Sequence, residues 1–350
     1  MPAGTSLKLY NDLDAIERDA GRLLDRSSQP GMFDRLDWFK LAAHYTLDGD
    51  PLVVNANNGS ASSWLFLDRK GSYAAALSNW YCLRFRPVTH GREGAQPPIA
   101  ELAEGLRKAG VSHLFVDRLS EDDPLPAALR RKGWLVRHEQ VNVSWRIDTK
   151  DMDFADYWAT RPSRLRNSAK RKARKAGLRF AFFDRFDDKA WIDLEQVFDA
   201  SWKLPEGSPE LIRDIVVKEG EAGTLRLGLA YKDDLAVAAQ IWIIEHGIAT
   251  IHKLAYREDV KELSAGTILS VEMFRRALEI DKVDKIDFGI GNDTYKREWM
   301  THSVPMYALS AYYPYSWSGL AGLAKAASRK ILRRFGMFRD EVDAHAAPRR

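Results

Sequence analysis

The chain has 350 residues, 45% hydrophobic and 29% charged, which excludes a disordered or fibrous polymer and allows two ordinary domains or one large one. A single cysteine, Cys82, excludes an internal disulfide and fits a reducing compartment. The net charge is only +4, yet residues 161–177 alone carry eight positive side chains and no acid, and without them the balance would be −4.

The N-terminal stretch MPAGTSLKLYNDLDAIERDAG has no apolar core of signal-peptide length. Strands are expected over 52–56, 63–68 and 73–77, then a helix over 98–109, a strand over 112–119, a helix over 124–133 and a strand over 134–145. The basic segment follows, with Arg161, Arg164, Arg166, Lys170, Arg171, Lys172, Arg174 and Lys175. It implies an anionic partner such as phosphates, a membrane surface or a nucleic acid, or else a solvated helical face. Strands are then expected over 224–231, 235–244 and 248–256. A helix over 267–280 places Ile268, Val271, Phe274, Ala277 and Leu278 on one face, before a strand over 283–290, a short helix over 293–300 and a strand over 305–313. The longest apolar run, LAVAAQIWII at 235–244, is interrupted by Gln240 and too short to span a bilayer, so a soluble, cytoplasmic protein is expected.

Both halves read β-β-β-α-β-α-β. The expected fold class is therefore α/β (α+β), with mixed sheets in two copies of one unit: residues 1–148, residues 149–313, and a basic amphipathic helix and tail over 314–350. The second copy has a feature the first lacks. In ELSAGTILS, residues 262–270, a glycine sits among small residues between an expected strand and an expected helix. A helix N-terminus carries unpaired N–H groups and partial positive charge, and is a ready phosphate site. Ser264 or Thr267 can cap the helix and donate to a phosphate oxygen; the alternative is a plain N-cap. The turn lacks the Gly-Lys-Ser/Thr of a P-loop and the glycines of a dinucleotide fingerprint.

A strand, such a turn, a helix and a strand resemble the coenzyme A site of GNAT acyltransferases. The wider sequence resembles the CelD/BcsL-like (BioF2-like) GNAT family, related to the FemAB transferases. RLRNSAKRKARKAG, FDASWK (198–203), LAVAAQIWI, IHKLAYREDVKELSAGTIL and IDFGIGNDTYKREWM (286–300) carry that resemblance, in order, over about residues 155–312. It implies a GNAT fold in two tandem units, the first degenerate, and an N-acyltransferase. It implies no tightly bound cofactor, acyl-CoA as co-substrate, and a pyrophosphate cradled by Leu263, Ser264, Ala265, Gly266 and Thr267.

The thioester is then expected between the strands 248–256 and 283–290. His252 suits a proton acceptor, the alternative being a hydrogen-bonded core histidine. Lys253 is expected on the opposite face of that strand. Asp287, a carboxylate between Ile286 and Phe288, must be paired or functional, and is a candidate base or amine-binding group. The resemblance makes Tyr295 the candidate acid for the leaving thiolate. Lys296 is expected to reach a phosphate or pair with Asp287, and Asp293 to cap a short helix or touch substrate. Trp202 and Lys203 are placed to cover the acceptor site, Trp202 alternatively being core. The eight histidines show no metal-ligand spacing with the single cysteine, so no metal is implied.

Two features bear on the acceptor. Residues 317–338 combine Trp317, Leu320, Leu323, Ala324, Ala327, Ile331, Phe335 and Phe338 with Lys325, Arg329, Lys330, Arg333 and Arg334, the pattern of an interfacial helix on an anionic membrane or of a helix packed on the protein. SNWYCLRFRP, residues 78–87, can line an acyl-chain pocket or be core. The expected acceptor is an amine of a cell-envelope component, with a sphingoid-type lipid, as in a ceramide synthase, as the favoured form. An amino-sugar N-acetyltransferase of polysaccharide synthesis, a FemAB-like transferase using aminoacyl-tRNA and a non-catalytic binding module are the alternatives. A nucleic-acid partner is not the favoured expectation.

Overall fold

The structure, a computed structural model, describes residues 4–203 and 207–324. The part of the expected C-terminal helix at 325–338 lies outside the described residues. The backbone divides at 142/143 and 304/305 into two units, one of residues 4–142 with 305–324 and one of the described residues in 143–304.

The first unit runs β1 (Ser6–Tyr10), α1 (Leu13–Ala20), α2 (Leu36–Thr46), β2 (Asp50–Asn57), β3 (Ala61–Lys70), β4 (Tyr73–Ala76), β5 (Val88–Gly91), α3 (Ile99–Lys108), β6 (His113–Ser120), α4 (Leu125–Arg131) and β7 (Leu135–Asp148), the last crossing into the second unit at Val143. The second adds α5 (Phe154–Ala159), α6 (Ser163–Ala176), β8 (Arg179–Phe183), α7 (Asp188–Asp199), α8 (Pro209–Glu221), β9 (Leu225–Lys232), β10 (Leu235–Glu245), β11 (Ile248–Tyr256), α9 (Ala265–Glu279), β12 (Lys285–Ile290) and α10 (Thr294–Trp299). β13 (His302–Tyr312) belongs to the first unit from Pro305 on, and α11 (317–324) follows it.

The order β-α-α-β-β-β-α-β-α-β runs from β8 to β13 and, with β5 as one added strand, from β1 to β7. The sequence-predicted strands and helices are all present in the described residues. The opening β-α-α of each repeat, β5 and α5 are additions of the structure, although α1 carries a clear helical period, with Leu13, Ile16 and Ala20 buried on one side. In the first unit the strands lie in the order β1-β2-β3-β4-β6-β13, with β5 beside β3. In the second they lie β7-β12-β11-β10-β9-β8. Pairing is antiparallel except at one place in each unit. β4 is parallel to β6 through Tyr73↔His113, Ala74↔Leu114 and Ala75↔Phe115. β11 is parallel to β12 through Ile248↔Lys285, Ala249↔Ile286 and Thr250↔Asp287.

In the second unit α9 packs closely on the sheet. Gly228 of β9 leaves no room for a Cβ beneath Met273. Phe274 stacks on Tyr157 with ring centroids 5.0 Å apart and meets Trp242 edge-on at 5.1 Å. The one polar residue in the apolar β10 run fixes the start of this helix: the Gln240 amide donates to Ser270 Oγ at 2.7 Å and to the Gly266 carbonyl at 3.4 Å, while its oxygen accepts the Trp242 indole N–H at 2.8 Å. All three side chains are buried. Replacing Gln240 with Leu strands a buried hydroxyl and a buried indole N–H. The Gln240→Leu protein is expected to lose about 2–3 kcal/mol of stability, read as a lower urea midpoint in equilibrium unfolding.

Candidate active site

β11 and β12 pair through Ile248, Ala249 and Thr250, and beyond Thr250 the two strands part. The other edge of β11 carries a bulge. Ile241 opposes Lys253 while Trp242 opposes Ile251, so His252 is the extra residue. The bulge breaks the simple alternation that the sequence reading assigned to His252 and Lys253. Both are buried. Lys253 opposes Ile241 and lies on the α7 side, its Nζ 5.7 Å from the Phe198 ring centroid. β12 ends in a second irregularity. Its register against β7 shifts between Asp287 and Ile290, and Gly289 and Gly291 have φ of 70° and 135°, which side chains disfavour.

Beyond Tyr256 the chain makes a 3-10 turn over Glu258–Leu263, then Ser264 in the left-handed region (φ 52°, ψ 36°), then α9. No side chain caps α9, so the first-turn N–H groups of Ala265, Gly266 and Thr267 keep the unpaired character of a helix start. Ser264 occupies the N-cap position without capping; its hydroxyl is instead hydrogen-bonded to the Lys172 ammonium of α6. A side chain at position 266 would place Cβ 2.9 Å from Tyr256 Cδ1. The glycine therefore makes space for the Tyr256 ring as well as baring the backbone.

α6 carries Arg164, Arg166, Lys170, Arg171, Lys172, Arg174 and Lys175 and no acid, and none of them forms an ion pair among the described residues. Leu165, Ala169 and Ala176 form its buried stripe. The helix is thus a basic face beside an uncapped helix start.

The far wall comes from β12 and α10. Asp287 is engaged on both oxygens: Oδ1 accepts Ser144 Oγ–H at 3.1 Å and the Gly289 N–H at 2.8 Å, and Oδ2 accepts Arg146 Nε–H at 2.9 Å. Its partner is Arg146, where the sequence reading offered Lys296. Lys296 is buried, donates to the Ile290 carbonyl at 2.6 Å, and lies 3.7 Å from Asp293 Oδ2. Burial lowers its pKa from the ordinary lysine value, against the opposing pull of the Asp293 and Asp287 carboxylates. Asp293 stands at the N-cap of α10 without a side-chain cap bond. Tyr295 is 41% exposed and meets Phe288 edge-on at 5.6 Å. Partial burial, with Asp293 and Tyr256 nearby, raises its pKa above the usual phenol value, so it holds its proton at neutral pH.

Trp202 is exposed rather than core and packs on Tyr256 at 4.3 Å; the Lys203 ammonium lies 5.8 Å from the Trp202 centroid. The sequence reading missed Tyr256, Gln240, Arg146 and the contact of Lys172 with the turn. Tyr256 and Gln240 were visible only as members of their strands, and a contact between α6 and α9 has no local signal. The cleft of about 250 Å³ lined by Phe182, Arg226, Trp242, Met273, Arg276 and Ile280 contains none of these site residues.

The first unit lacks this arrangement. After β4, Tyr81, Cys82 and Phe85 of the 78–87 segment are buried as core, and Arg84 and Arg86 close on the buried Asp34. α3, the counterpart of α9, also has no side-chain cap, but its first N–H, that of Ile99, donates to the Pro97 carbonyl at 2.9 Å and its first turn carries the acidic Glu101 and no glycine.

Residues 160–297 match the family model described as an acetyltransferase (GNAT) domain. No curated protein matches the sequence significantly. Among solved structures, the C-terminal domain of a putative lysylphosphatidylglycerol synthetase from Agrobacterium fabrum is similar, with a TM-score of 0.54 at 17% identity over 81% of this chain and 94% of that one. FemX gives a TM-score of 0.54 at 10% identity over 87% and 96%. A tandem GNAT protein from the clavulanic acid biosynthesis pathway gives 0.50 at 12% over 88% and 98%. At these identities the likeness establishes the fold. The fold is a GNAT fold in two tandem units, and the second carries the acetyltransferase domain. The protein is an enzyme of the acyltransferase class.

The Tyr256 contact yields a direct test of the turn. Gly-to-Ala in a helix normally gains about 1 kcal/mol. Gly266→Ala is expected to lose that gain, and Gly266→Ala with Tyr256→Ala to recover it, read as a coupling in a double-mutant unfolding cycle.

Proposed function

We propose that the protein is an acyl-CoA-dependent N-acyltransferase acting on an amine of a cell-envelope component, of the CelD/BcsL-like kind. The observation that carries this reading is the parting of β11 from β12 directly before an uncapped helix start flanked by Lys172. The residues present fit CoA: the N–H groups of Ala265, Gly266 and Thr267 and the Lys172 ammonium suit its pyrophosphate, and the unpaired cations of α6 suit its remaining phosphate. The thioester would then lie beyond Thr250, where β11 and β12 part, with its carbonyl oxygen toward the strand backbone.

In the reaction the amine nitrogen attacks the thioester carbonyl carbon, a C–N bond forms, the C–S bond breaks, and the amine proton must leave while the thiolate gains one. Lys296, with its depressed pKa, is the best-placed group to take the amine proton in its neutral form; His252 is the second candidate. Asp287, held on both oxygens, orients β12 and Arg146 rather than accepting a proton. Tyr295, exposed and protonated, suits donation to the thiolate. Trp202, Lys203, Lys253 and Asp293 are the proposed acceptor contacts.

The envelope assignment draws on two structural neighbours, FemX and the synthetase domain. A sphingoid-type lipid amine is the favoured acceptor and an amino sugar the competing one. One observation favours a second donor: the unpaired charge of α6 exceeds what a single CoA requires, which suits an RNA-borne aminoacyl group.

Free-thiol release by the purified protein in mixed micelles tests the reading, with acetyl-CoA or palmitoyl-CoA, each with sphinganine or glucosamine. Release with palmitoyl-CoA and sphinganine is expected. Release only with acetyl-CoA and the sugar moves the acceptor to polysaccharide precursors, and no release with any pair contradicts CoA dependence. Lys296→Met is expected to keep the fold, with some loss of stability because the Ile290 carbonyl loses its donor, and to lower kcat/KM by roughly 10²–10⁴. The wild-type rate is expected to rise with pH as Lys296 loses its proton, with an apparent pKa below the ordinary lysine value, and this limb should vanish in Lys296→Met.

A further inference from the structure

Thr250 and Asp287 form the last of the three pairs that join β11 to β12, so Asp287 stands where the strands part. Asp287 also opposes Arg146 of β7. Paired residues of neighbouring strands turn their side chains to the same face of a sheet, so Thr250, Asp287 and Arg146 share one face. Lys253 shares it too. Its partner Ile241 and the Thr250 partner Ile243 lie two residues apart on β10. Ile147, Ile286 and Phe288 turn to the opposite face and join the core with Phe274 of α9. Arg146 therefore looks out on the face that α9 does not cover.

Asp287 accepts one Arg146 donor, Nε–H at 2.9 Å. Neither Arg146 Nη group donates to any group among the described residues, and the side chain is 29% exposed. Asp287 is itself anchored, since Oδ1 accepts from Ser144 and from the Gly289 N–H. The guanidinium is thus fixed through Nε before any ligand arrives, with two Nη groups left as a fork. That fork matches two oxygens of a phosphate or carboxylate. The other β12 cation on this face, Lys285, is paired with Asp148 at 3.4 Å. Lys296, the proposed acceptor of the amine proton, lies within the electrostatic reach of the same Asp287 carboxylate. We infer that Arg146 determines acceptor specificity, its two Nη groups binding an oxyanion, phosphate or carboxylate, carried by the amine that is acylated. The inference rests on the acyl-transfer reading of this site and narrows its acceptor to amines that also bear an acidic group.

The test compares thiol release with sphinganine against sphinganine 1-phosphate, and with glucosamine against glucosamine 6-phosphate and muramic acid. Palmitoyl-CoA and acetyl-CoA are the donors. An acidic amine is expected to have at least roughly tenfold the kcat/KM of its neutral counterpart. Muramic acid carries a carboxylate, so its rate against that of the phosphate ester separates the two oxyanions. In Arg146→Gln the preference should fall roughly tenfold or more, mainly through KM. Arg146→Lys, which keeps a cation beside Asp287 without the fork, should restore part of it. Destabilisation alone slows both members of a pair and leaves their ratio unchanged. A wild-type protein without the preference, or Arg146→Gln with the preference intact, overturns the inference and leaves acyl transfer standing. If no pair releases thiol, the proposed reaction fails, and calorimetric titration with glucosamine 6-phosphate and with sphinganine 1-phosphate decides the contact. Binding weakened at least roughly tenfold in Arg146→Gln supports it, and binding that is absent or equal in the two proteins overturns it.

Discussion

The second unit depends on where one short parallel pairing stops. Three residue pairs join β11 to β12, and the strands then separate. A parallel pair that continued would satisfy its own N–H and C=O groups and close the sheet. Because it stops at Thr250, β12 does not continue alongside the second half of β11. The bulge at His252 and the positive φ angles at Gly289 and Gly291 bend the two strands in this region. The first unit has the same three-pair parallel contact, so parting strands alone do not make a site. There the 78–87 segment buries Tyr81, Cys82 and Phe85, and the first turn of the helix is acidic, with its leading N–H bonded to the Pro97 carbonyl.

What turns the gap in the second unit into a binding feature is the placement of α9. Gln240 fixes its first turn from below through Ser270 and the Gly266 carbonyl, and Gly228 lets the helix sit close to the sheet. Tyr256 occupies the space that a side chain at 266 would need, and Trp202 covers Tyr256. Lys172 then brings a cation to the turn that has no capping side chain. Rigid packing on one side and bare N–H groups with positive charge on the other are what an anion site requires, since its donors must be in place before the ligand arrives.

Much of this was legible in the sequence. Alternation in 224–231 and the apolar runs between the turns that follow it marked the β9–β11 strands, and β11 was bounded at Ile248 and Tyr256 as observed. The small-residue turn before α9 and the acid-free basic segment were equally plain. Three things were not. The bulge at His252 is a property of pairing, invisible in a strand read alone. The partner of Asp287 is Arg146, 141 residues away, whereas the sequence pointed to nearby Lys296. The role of Gln240 looked like an interruption of an apolar run, because its hydrogen-bond partners lie on a later helix. In each case the missing information was a contact distant in sequence, which periodicity does not carry.

The central claim is that the first turn of α9 and the part of β11 beyond Thr250 receive the phosphates and thioester of an acyl-CoA. Amide hydrogen exchange, followed with and without palmitoyl-CoA, tests it most directly. The account predicts slowed exchange at the amides of Ala265, Gly266 and Thr267 and along Ile251–Tyr256. Protection confined to other parts of the chain, or unchanged exchange at saturating palmitoyl-CoA, would contradict it.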